Sequence, residues 1–454
     1  MFHRIAGPIA ALLAYVIAHH YLAIPAPAAW TLATTVWVAW WWISETIAIP
    51  ATSLLPFVLL PLGGITSAAE VSGALGNPII LLFMAAFMLA KAVELSGVHK
   101  RIALTLVRRI GNNNPQRMVF SFMVATAFLS MWISNTAAVL ALLPVALALA
   151  DASPDQKFQR ALLLGLAYSA SVGGIGTLIG TPPNLIFASV YESYTGTPFG
   201  FTRWLQIGIP LVIIGIPMMA WWLTRGITTT SAMEIEEPGP VRSAEKRVVA
   251  VFGIVIFLWM TRTAPFGGWA SISTLSYMND ATIAFIGVLI LFIWQDKEGN
   301  PLLTWRDAVE IPWGILLLFA GGIALAEGFV NSGLSEIIGH AVADLGNIPT
   351  WMLVFIVTIS VSALTEVTSN TASATLLMPV MAATATALDM PPELLMIPAA
   401  IACSCAFCLP VATPPNSIVF SANRLSIKEM AKEGIVLSIM MAFLTTLIVM
   451  LLVY

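Results

Sequence analysis

Long apolar runs recur from one end of the chain to the other, and they decide its fold class. A helix that spans a bilayer needs about 20 consecutive apolar residues, and such runs recur throughout the 454 residues. Only 9% of the residues are charged, whereas soluble domains carry roughly 25%. This composition excludes a soluble enzyme, a nucleic-acid-binding protein and a disordered chain. The sequence therefore predicts an all-α polytopic membrane protein embedded in the lipid bilayer, since a helix satisfies its own backbone groups in lipid.

The two halves of the sequence resemble each other. Residues 134–145 read SNTAAVLALLPV and residues 369–380 read SNTASATLLMPV, with seven identities in twelve positions. The tetrapeptide TPPN occurs at 181–184 and again at 413–416. A third pair of segments, with seven identities in eighteen positions, lies at 81–98 and 317–334. All three pairs occur in the same order at nearly the same offset, which indicates an internal repeat.

Basic residues indicate how the two repeats are oriented. Segment 99–117 carries five Lys or Arg residues, whereas its counterpart 335–350 carries none but contains Glu336 and Asp344. Loops rich in Lys and Arg stay on the cytoplasmic side of a membrane. The two equivalent segments are therefore predicted on opposite sides, and this relation is an inverted-topology repeat.

A full trace of the chain gives about 11 transmembrane helices, provided that 118–150 and 351–388 are each a re-entrant hairpin. The N-terminus is then cytoplasmic and the C-terminus external, in a multi-pass protein of the cytoplasmic (inner) membrane. This trace places seventeen basic residues inside and only Arg203 and Arg262 outside. Treating either hairpin as a single crossing reverses every later loop and removes this bias.

The trace divides the chain into four parts. In chain order they are a first transmembrane helix (1–28), a first inverted repeat (29–224) with hairpin 118–150 and broken helix 160–190, a cytoplasmic connecting loop (225–247), and a second inverted repeat (248–454) with hairpin 351–388 and broken helix 396–420. The connecting loop is the least apolar stretch, with Glu234, Glu236, Glu237, Pro238 and Pro240.

Ser-Asn-Thr lies in the middle of each predicted hairpin, at 134–136 and 369–371. Two short helices that meet there would place each triplet near mid-membrane, where non-helical backbone survives only beside protein or a water-filled cavity. Ser, Asn and Thr cap the helix that follows, and free amides at a helix N-terminus attract anions. Capping or interhelical contacts alone explain one triplet, but two symmetric triplets favour an anion site.

Thr-Pro-Pro-Asn interrupts both of the predicted broken helices. Proline removes an amide donor and clashes with the preceding turn, so each double proline predicts unwound backbone with free carbonyls upstream. Such carbonyls coordinate Na⁺ in transporters, because hard cations prefer oxygen ligands; a simple kink is the alternative. No Lys or Arg lies near either tip or either break. An anion there would depend on amides, hydroxyls, helix dipoles and co-bound cations, which couples the ions to each other.

With these paired motifs and the segment SETIAIPATSLLPFVLLPLGG at 44–64, the chain resembles the divalent anion/sodium symporter family, the sodium-coupled di- and tricarboxylate and sulfate carriers. The resemblance covers nearly the whole chain. It implies a homodimer in which each protomer has a scaffold and a transport domain that moves as an elevator. The implied function is Na⁺-coupled symport of C4-dicarboxylates such as succinate, malate or fumarate. A dicarboxylate exchanger, or a citrate or sulfate carrier of the same family, remains an alternative.

The resemblance also implies the residues of the site. Eight residues would contact the carboxylates of the substrate: Ser134, Asn135, Thr136, Ser369, Asn370, Thr371, Thr413 and Pro414. Two sodium sites carry over position by position, the first with Ser130, Ser134, Asn135 and Gly180 and the second with Thr365, Ser369, Asn370 and Ala412. Each Asn would then contact both an ion and the substrate, with Na⁺ as the coupling ion.

Other polar residues in or near the spans have simpler explanations. Glu366 lies beside Thr365, and support of the second ion site is one possible role for this intramembrane carboxylate. Glu45 is expected to end a helix at the interface, and Lys91 and Glu94 are expected to form structural pairs or to snorkel. An intramembrane enzyme would need paired Asp, Ser-His or a metal cluster in the spans, and the sequence shows none there. A channel is disfavoured by paired hairpins around an occluded site.

Overall fold

The structure is a computed structural model, and it describes residues 2–111, 114–227, 237, 239–263, 267–343 and 348–454. Regular structure in these residues is helical, apart from one isolated β-bridge between Gln295 and Pro301. Five helices of the described chain are long and apolar enough to cross a membrane, namely Ala68–Ser96, Asn135–Ala152, Phe201–Leu223, Trp313–Asn331 and Ile427–Leu452. Shorter apolar helices accompany them, and the fold is that of a multi-pass membrane protein.

The first half of the described chain contains helices α1 to α12. They are Phe2–Val16 (α1), Ala26–Ser44 (α2), Ile49–Thr52 (α3), Leu55–Leu62 (α4), Ala68–Gly73 (α5), Pro78–Ser96 (α6), Val98–Ile110 (α7), Pro115–Ser130 (α8), Asn135–Ala152 (α9), Gln156–Ile175 (α10), Pro182–Thr195 (α11) and Phe201–Leu223 (α12). A π-helical turn, Ile17–Tyr21, extends α1, and a 3₁₀ turn, Ala74–Gly76, joins α5 to α6.

The second half contains helices α13 to α22. They are Ser243–Thr261 (α13), Asp280–Ile293 (α14), Trp305–Ala308 (α15), Trp313–Asn331 (α16), Leu334–Ala343 (α17), Thr350–Thr365 (α18), Asn370–Ala387 (α19), Glu393–Cys403 (α20), Pro414–Phe420 (α21) and Ile427–Leu452 (α22). Two 3₁₀ turns, Trp269–Ser271 and Pro410–Ala412, lie between them.

Helix boundaries in the two halves match at the two Ser-Asn-Thr triplets. Helix α9 begins at Asn135 and α19 begins at Asn370, an offset of 235 residues. The preceding helices, α8 and α18, end at Ser130 and Thr365 with the same offset. Four residues separate the helices of each pair, and the two helices of each pair pack against one another. Each predicted hairpin therefore corresponds to a helix pair with a short turn at its triplet.

The double prolines mark the points at which helices resume after a break. Helix α10 ends at Ile175 and α11 begins at Pro182, while α20 ends at Cys403 and α21 begins at Pro414. Proline is favoured at the first position of a helix, because its missing N–H would have no intrahelical partner there. We call residues 176–181 the first break and residues 404–413 the second break.

The helices that lead into the breaks lie in the centre of the fold. Every residue of α20 is buried, and so is the part of α10 from Ala161 to Ile175. A helix that is apolar on all sides belongs in a core. Gly173 of α10 lets α8 approach closely, because a Cβ at this position would lie only 2.4 Å from Ala127 Cα. Close packing of this kind fixes the first break against the first hairpin.

The described part of the connection between the halves lies against α7. The Arg101 guanidinium donates to the carbonyls of Gly239 at 2.5 Å and Pro240 at 2.8 Å, and it pairs with buried Glu245. This hydrogen bond to Arg101 holds the pKa of the Glu245 carboxyl below its usual range. Four residues of the predicted loops, Glu234, Glu236, Pro238 and Asp344, lie outside the described residues.

Candidate functional site

Both hairpin tips and both breaks meet at one cavity of about 890 Å³. The eight residues predicted to contact carboxylates all line it: Ser134, Asn135, Thr136, Ser369, Asn370, Thr371, Thr413 and Pro414. Gly180 and Ala412, which were predicted as ion ligands, line it as well. The remaining predicted ion ligands, Ser130 and Thr365, are fully buried behind the tip asparagines. The fold therefore brings together the predicted residues of both halves.

The two tip asparagines have equivalent hydrogen-bond partners. Ser130 Oγ lies 2.5 Å from Asn135 Oδ1 and 2.6 Å from the carbonyl oxygen of Ala170. Thr365 Oγ1 lies 2.6 Å from Asn370 Oδ1 and 3.2 Å from the carbonyl oxygen of Cys403. A hydroxyl has only one proton to donate, so each hydroxyl serves one of its two neighbouring oxygens at a time. In each half one hydroxyl therefore bridges the tip amide oxygen and a backbone carbonyl of the helix that leads into the break.

The first break adds a backbone oxygen to the cluster around Asn135. A Cβ at Gly174 would lie 2.9 Å from Asn135 Oδ1 and 3.1 Å from the carbonyl oxygen of Gly180. The two oxygens therefore converge on Gly174, and only a residue without a side chain leaves room for them. No hydrogen bond from the described residues reaches the carbonyl oxygen of Gly180, nor that of Ala412 in the second break.

Asn184 and Asn416, the last residues of the two TPPN motifs, hold the breaks open in the same way. Asn184 Nδ2 donates to the carbonyls of Gly174, in the last turn of α10, at 3.0 Å and of Thr177, in the first break, at 2.8 Å. Asn416 Nδ2 donates to the carbonyls of Ala406 and Leu409 in the second break at 3.0 Å each. Both side chains are fully buried, and their Oδ1 atoms have no hydrogen-bond partner among the described residues. The asparagine of each motif thus donates to carbonyls that backbone N–H groups would serve in a continuous helix.

Glu366 supports the second break through its carboxylate. Its two oxygens accept hydrogen bonds from the backbone N–H groups of Phe407 at 2.7 Å, Cys408 at 2.8 Å and Leu409 at 3.0 Å. The first half has Met131 at the equivalent position, and there Thr177 donates to the Met131 carbonyl at 2.5 Å. The sequence marked Glu366 as a possible support of an ion site, and the structure shows its contact with the backbone of the break.

Helix N-termini add partial positive charge to the wall of the cavity at the tips. Helices α9 and α19 begin at Asn135 and Asn370, both of which line the cavity, and α11 begins at its wall with Pro182. The first turn of a helix carries unsatisfied N–H groups and a partial positive charge. Because Pro182 and Pro183 have no N–H, the amides at the start of α9 and α19 are the better anion donors.

Four charged residues in the wall of the cavity were not predicted as site residues. Glu45, Lys91, Glu94 and Glu310 all line it, and we call them the charged rim. Lys91 Nζ pairs with Glu310 Oε2 at 2.6 Å. Glu45 ends α2 as expected, in the left-handed conformation with φ of 44°. No sequence pattern predicts the Lys91–Glu310 pair, since its members are 219 positions apart.

The two breaks are joined to each other inside the core. Tyr168 of α10 donates its hydroxyl to the carbonyl of Phe407 in the second break at 2.7 Å. Ser404 Oγ, also in the second break, lies 3.4 Å from Thr181 Oγ1 in the first. The cavity wall is therefore one structure built from both halves of the chain.

An all-helical membrane protein with a polar cavity at two helix breaks has the construction of a membrane transporter. Residues 39–396 match the family described as "CitMHS: Citrate transporter". The chain is 40% identical over 444 residues to "Sodium-dependent dicarboxylate transporter SdcS" of Staphylococcus saprophyticus, covering 92% of this chain and 85% of that protein. It is also 40% identical over 471 residues to SdcS of Staphylococcus aureus strain USA300, covering 98% and 89%. The chain belongs to the divalent anion/sodium symporter family and is a transporter rather than an enzyme.

The fold also resembles a solved transporter of low sequence identity. The crystal structure of the YdaH transporter of Alcanivorax borkumensis superposes with a TM-score of 0.60 and 14% identity, covering 93% of this chain and 97% of that chain. At this level of identity the likeness concerns the fold alone.

Proposed function

We propose that the protein carries C4-dicarboxylates such as succinate, malate or fumarate across the cytoplasmic membrane by symport with Na⁺. The single observation that carries this proposal is the pair of equivalent clusters behind the tips, in which one hydroxyl proton faces two oxygens. Oxygen atoms gathered in this way suit a hard cation, which would bind to them. Two relatives of the chain are named sodium-dependent dicarboxylate transporters, which agrees with this interpretation.

The two sodium sites that the family resemblance implies would lie at these clusters. The first would consist of Ser130, Ser134, Asn135 and the carbonyl of Gly180, and the second of Thr365, Ser369, Asn370 and the carbonyl of Ala412. Hydroxyl, amide and carbonyl oxygens are suitable ligands for a hard cation. The convergence of Asn135 Oδ1 and the Gly180 carbonyl on Gly174 supports the first site, and the equivalent contacts of Thr365 support the second.

The dicarboxylate would lie between the two tips, in contact with Ser134, Asn135, Thr136, Ser369, Asn370, Thr371, Thr413 and Pro414. The tips offer hydroxyls, amides and the N-termini of α9 and α19, but no Lys or Arg. Two bound Na⁺ ions would supply the charge that the tips lack. Each cation lowers the desolvation cost of the anion, and the anion lowers that of each cation. Na⁺ and substrate should therefore increase each other's affinity by the same factor.

Transport by an elevator motion of two inverted repeats is the finer part of the proposal, together with the four-part division of the chain. Matching helix boundaries at an offset of 235 residues support the repeat. The charge bias of the loops supports its inversion. Both arginines assigned to the external side are paired with acids, Arg203 with Glu393 and Arg262 with Asp280. The homodimer rests on the family resemblance.

Uptake of labelled succinate into proteoliposomes tests the proposed function. An inward Na⁺ gradient should drive accumulation in empty vesicles, and K⁺ in place of Na⁺ should abolish it. Uptake that needs internal succinate and ignores the gradient would instead show the exchanger. Unlabelled citrate and sulfate belong in the competition series, because the matching family is described by citrate. Ser72→Ala, a change at an exposed position on α5 far from the motifs, provides a control for reconstitution.

A further inference from the structure

We propose that Lys91 is a docking site for the substrate at the charged rim of the cavity. On this proposal Lys91 exchanges its ion-pair partner, the carboxylate of Glu310, for a carboxylate of the incoming or leaving dicarboxylate. The inference rests on the proposed function, since it takes a dicarboxylate as the substrate. It adds a position on the transport path that is separate from the two tips.

Lys91 is alone among basic residues in the wall of the cavity. Of the described residues that line it, only Lys91 carries a positive side chain, while Glu45, Glu94 and Glu310 of the charged rim are acidic. Three carboxylates and one ammonium leave the rim with a formal charge of −2. A dicarboxylate that crosses such a rim is repelled by its acids, so the lysine is the one side chain there that attracts it.

Position along α6 places Lys91 nearer to solvent than Phe83, which lines the same cavity. Phe83, Phe87, Ala90, Lys91 and Glu94 line the cavity from one face of this helix. Exposure rises along that face, from 1% at Phe83 to 22% for the side chain of Lys91. The two residues are eight positions apart, which corresponds to about 12 Å along a helix. A carboxylate at Lys91 would therefore lie nearer to solvent than the deep end of the cavity.

The partner exchange is easy because Glu310 is well exposed. Its side chain keeps 57% of its surface in solvent, whereas that of Lys91 keeps 22%. Ion pairs with an exposed member contribute little to stability, and water can solvate Glu310 once it is released. The less exposed ammonium of Lys91 benefits more from a new anionic partner. A lysine has a flexible stem and a compact charge without fixed geometry, which suits brief contacts with a passing substrate.

A purely structural role for the pair makes a different prediction. If the Lys91–Glu310 pair only braces α6 against the segment before α16, removal of either member should have the same effect. If Lys91 docks the substrate, Glu310 competes with the substrate for Lys91. Loss of Glu310 should then have the opposite effect to loss of Lys91.

The test compares Lys91→Met and Glu310→Gln in full-length protein reconstituted in proteoliposomes. Lys91→Met should raise the KM for succinate about 5-fold or more, and Glu310→Gln should lower it about 2-fold. The double variant should behave like Lys91→Met, because Glu310 then has no lysine to occupy. Lys100→Met, which removes an exposed lysine on α7 outside the cavity, is the matched control and should leave KM unchanged.

The salt dependence of KM supplies a second readout. Choline chloride screens exposed charges, so it should raise the wild-type KM more than that of Lys91→Met. An unchanged KM in Lys91→Met, or equal rises in KM for both single variants, would overturn the proposal. If Lys91→Met fails to fold, the proposal is tested with Glu310→Gln and Lys91→Arg instead. An unchanged or higher KM in Glu310→Gln is also incompatible with a docking role for Lys91.

The proposed function can fail separately from the role of Lys91. If wild-type vesicles show no Na⁺-driven succinate uptake, the function as stated is wrong. Thermal stabilisation of the purified protein by succinate, citrate or sulfate at fixed Na⁺ then tests the lysine alone. Lys91→Met should need several-fold more of the stabilising dianion than wild type, and an equal requirement would overturn the docking role.

Discussion

At the scale of single residues, the side chains behind the tips separate an ion role from a substrate role. Thr365 is fully buried, and its hydroxyl contacts Asn370 and a backbone carbonyl. Thr371 is also near Asn370 but lines the cavity. The hydroxyl of Thr365 should therefore coordinate the cation, and the hydroxyl of Thr371 should contact the carboxylate of the substrate.

Thr365→Ala should weaken Na⁺ binding and leave the substrate contacts intact. Apparent Na⁺ affinity is expected to fall several-fold, because one of a few oxygen ligands is lost. The succinate KM should rise at limiting Na⁺ and recover at saturating Na⁺. Thr371→Ala should instead show a raised succinate KM at every Na⁺ concentration. Succinate KM measured across a Na⁺ titration compares the two, and indistinguishable curves would contradict the division of roles.

Asn135→Ala and Asn370→Ala should each weaken Na⁺ and succinate binding together. Each amide is proposed to contact both the ion and the anion, so one change should remove both contacts. Equilibrium binding measurements with Na⁺ and succinate test this for each half separately. Unchanged affinities for both ligands in either variant would show that the site is wrong for that half.

Glu366→Gln should destabilise the second break. A glutamine has one acceptor oxygen and an NH₂ group, so it cannot accept from all three backbone amides that the carboxylate serves. A buried donor without a partner costs about 1–3 kcal/mol. A lower melting temperature in detergent is therefore expected, together with weaker uptake. Met131→Leu, at the equivalent position of the first half, should change the melting temperature little.

Sequence alone predicted the tip and break residues but not the charged rim. Ser-Asn-Thr and Thr-Pro-Pro-Asn are local patterns, and their repetition distinguishes them from ordinary caps and kinks. The contacts of Lys91 with Glu310 and of Glu366 with residues 407–409 depend on tertiary packing between distant segments. No local pattern encodes such pairs, because their members are far apart in the sequence.

At the scale of helices and breaks, glycine creates the space in which oxygens converge. A Cβ at Gly174 would lie within 3.1 Å of both Asn135 Oδ1 and the Gly180 carbonyl. Gly174→Ala should therefore displace an ion ligand and lower apparent Na⁺ affinity, with a smaller change in melting temperature. Gly253→Ala, within α13, meets no atom within 4 Å and serves as the control. Equal Na⁺ affinities in the two variants would contradict the convergence of ligands at Gly174.

The positions of the breaks were predictable, but their lengths were not. Proline at the first position of α11 and α21 fixes where each helix resumes. The second break is longer than the first, and it includes the 3₁₀ turn Pro410–Ala412. Its length depends on Glu366, Tyr168 and Asn416, which satisfy its backbone from outside the segment. These contacts are tertiary, so the sequence does not predict them.

At the scale of the whole molecule, the opposite orientation of the two repeats is the main open prediction. Single cysteines at Gln116 and Glu336, both exposed, should react with impermeant reagents from opposite sides of the membrane. Gln116 should react from the cytoplasmic side, because it belongs to the basic segment. Wild type, whose three cysteines lie together at 403–408, gives the background. Reaction of both sites from one side would contradict the inverted repeat.

The contact between α7 and the connecting segment should contribute to stability in a pH-dependent way. Arg101 lowers the pKa of buried Glu245, so the pair stabilises the fold at pH values above the usual carboxyl pKa. This contribution is lost as pH falls through the lowered pKa and Glu245 becomes protonated. Arg101→Met should lower the melting temperature at pH 7, and the difference from wild type should shrink below about pH 4.

The same comparison with Arg242→Met tests the contribution of burial. Arg242 also pairs with Glu245, but 67% of its side chain is exposed, against 20% for Arg101. A more exposed partner should matter less, so the smaller loss of melting temperature is expected for Arg242→Met. A larger loss for that variant would show that Arg101 is not the main partner of Glu245.

The bond between Tyr168 and the carbonyl of Phe407 has a consequence for leakage. It ties the second break to the helix that carries the first, so a distortion of one break is transmitted to the other. If the two proposed sodium sites lie at these breaks, filling one should favour filling the other, and a protein with one site filled should be rare. Transport of Na⁺ without the dicarboxylate would require the protein with only one sodium site filled. A chain held together in this way would waste little of the gradient that drives it.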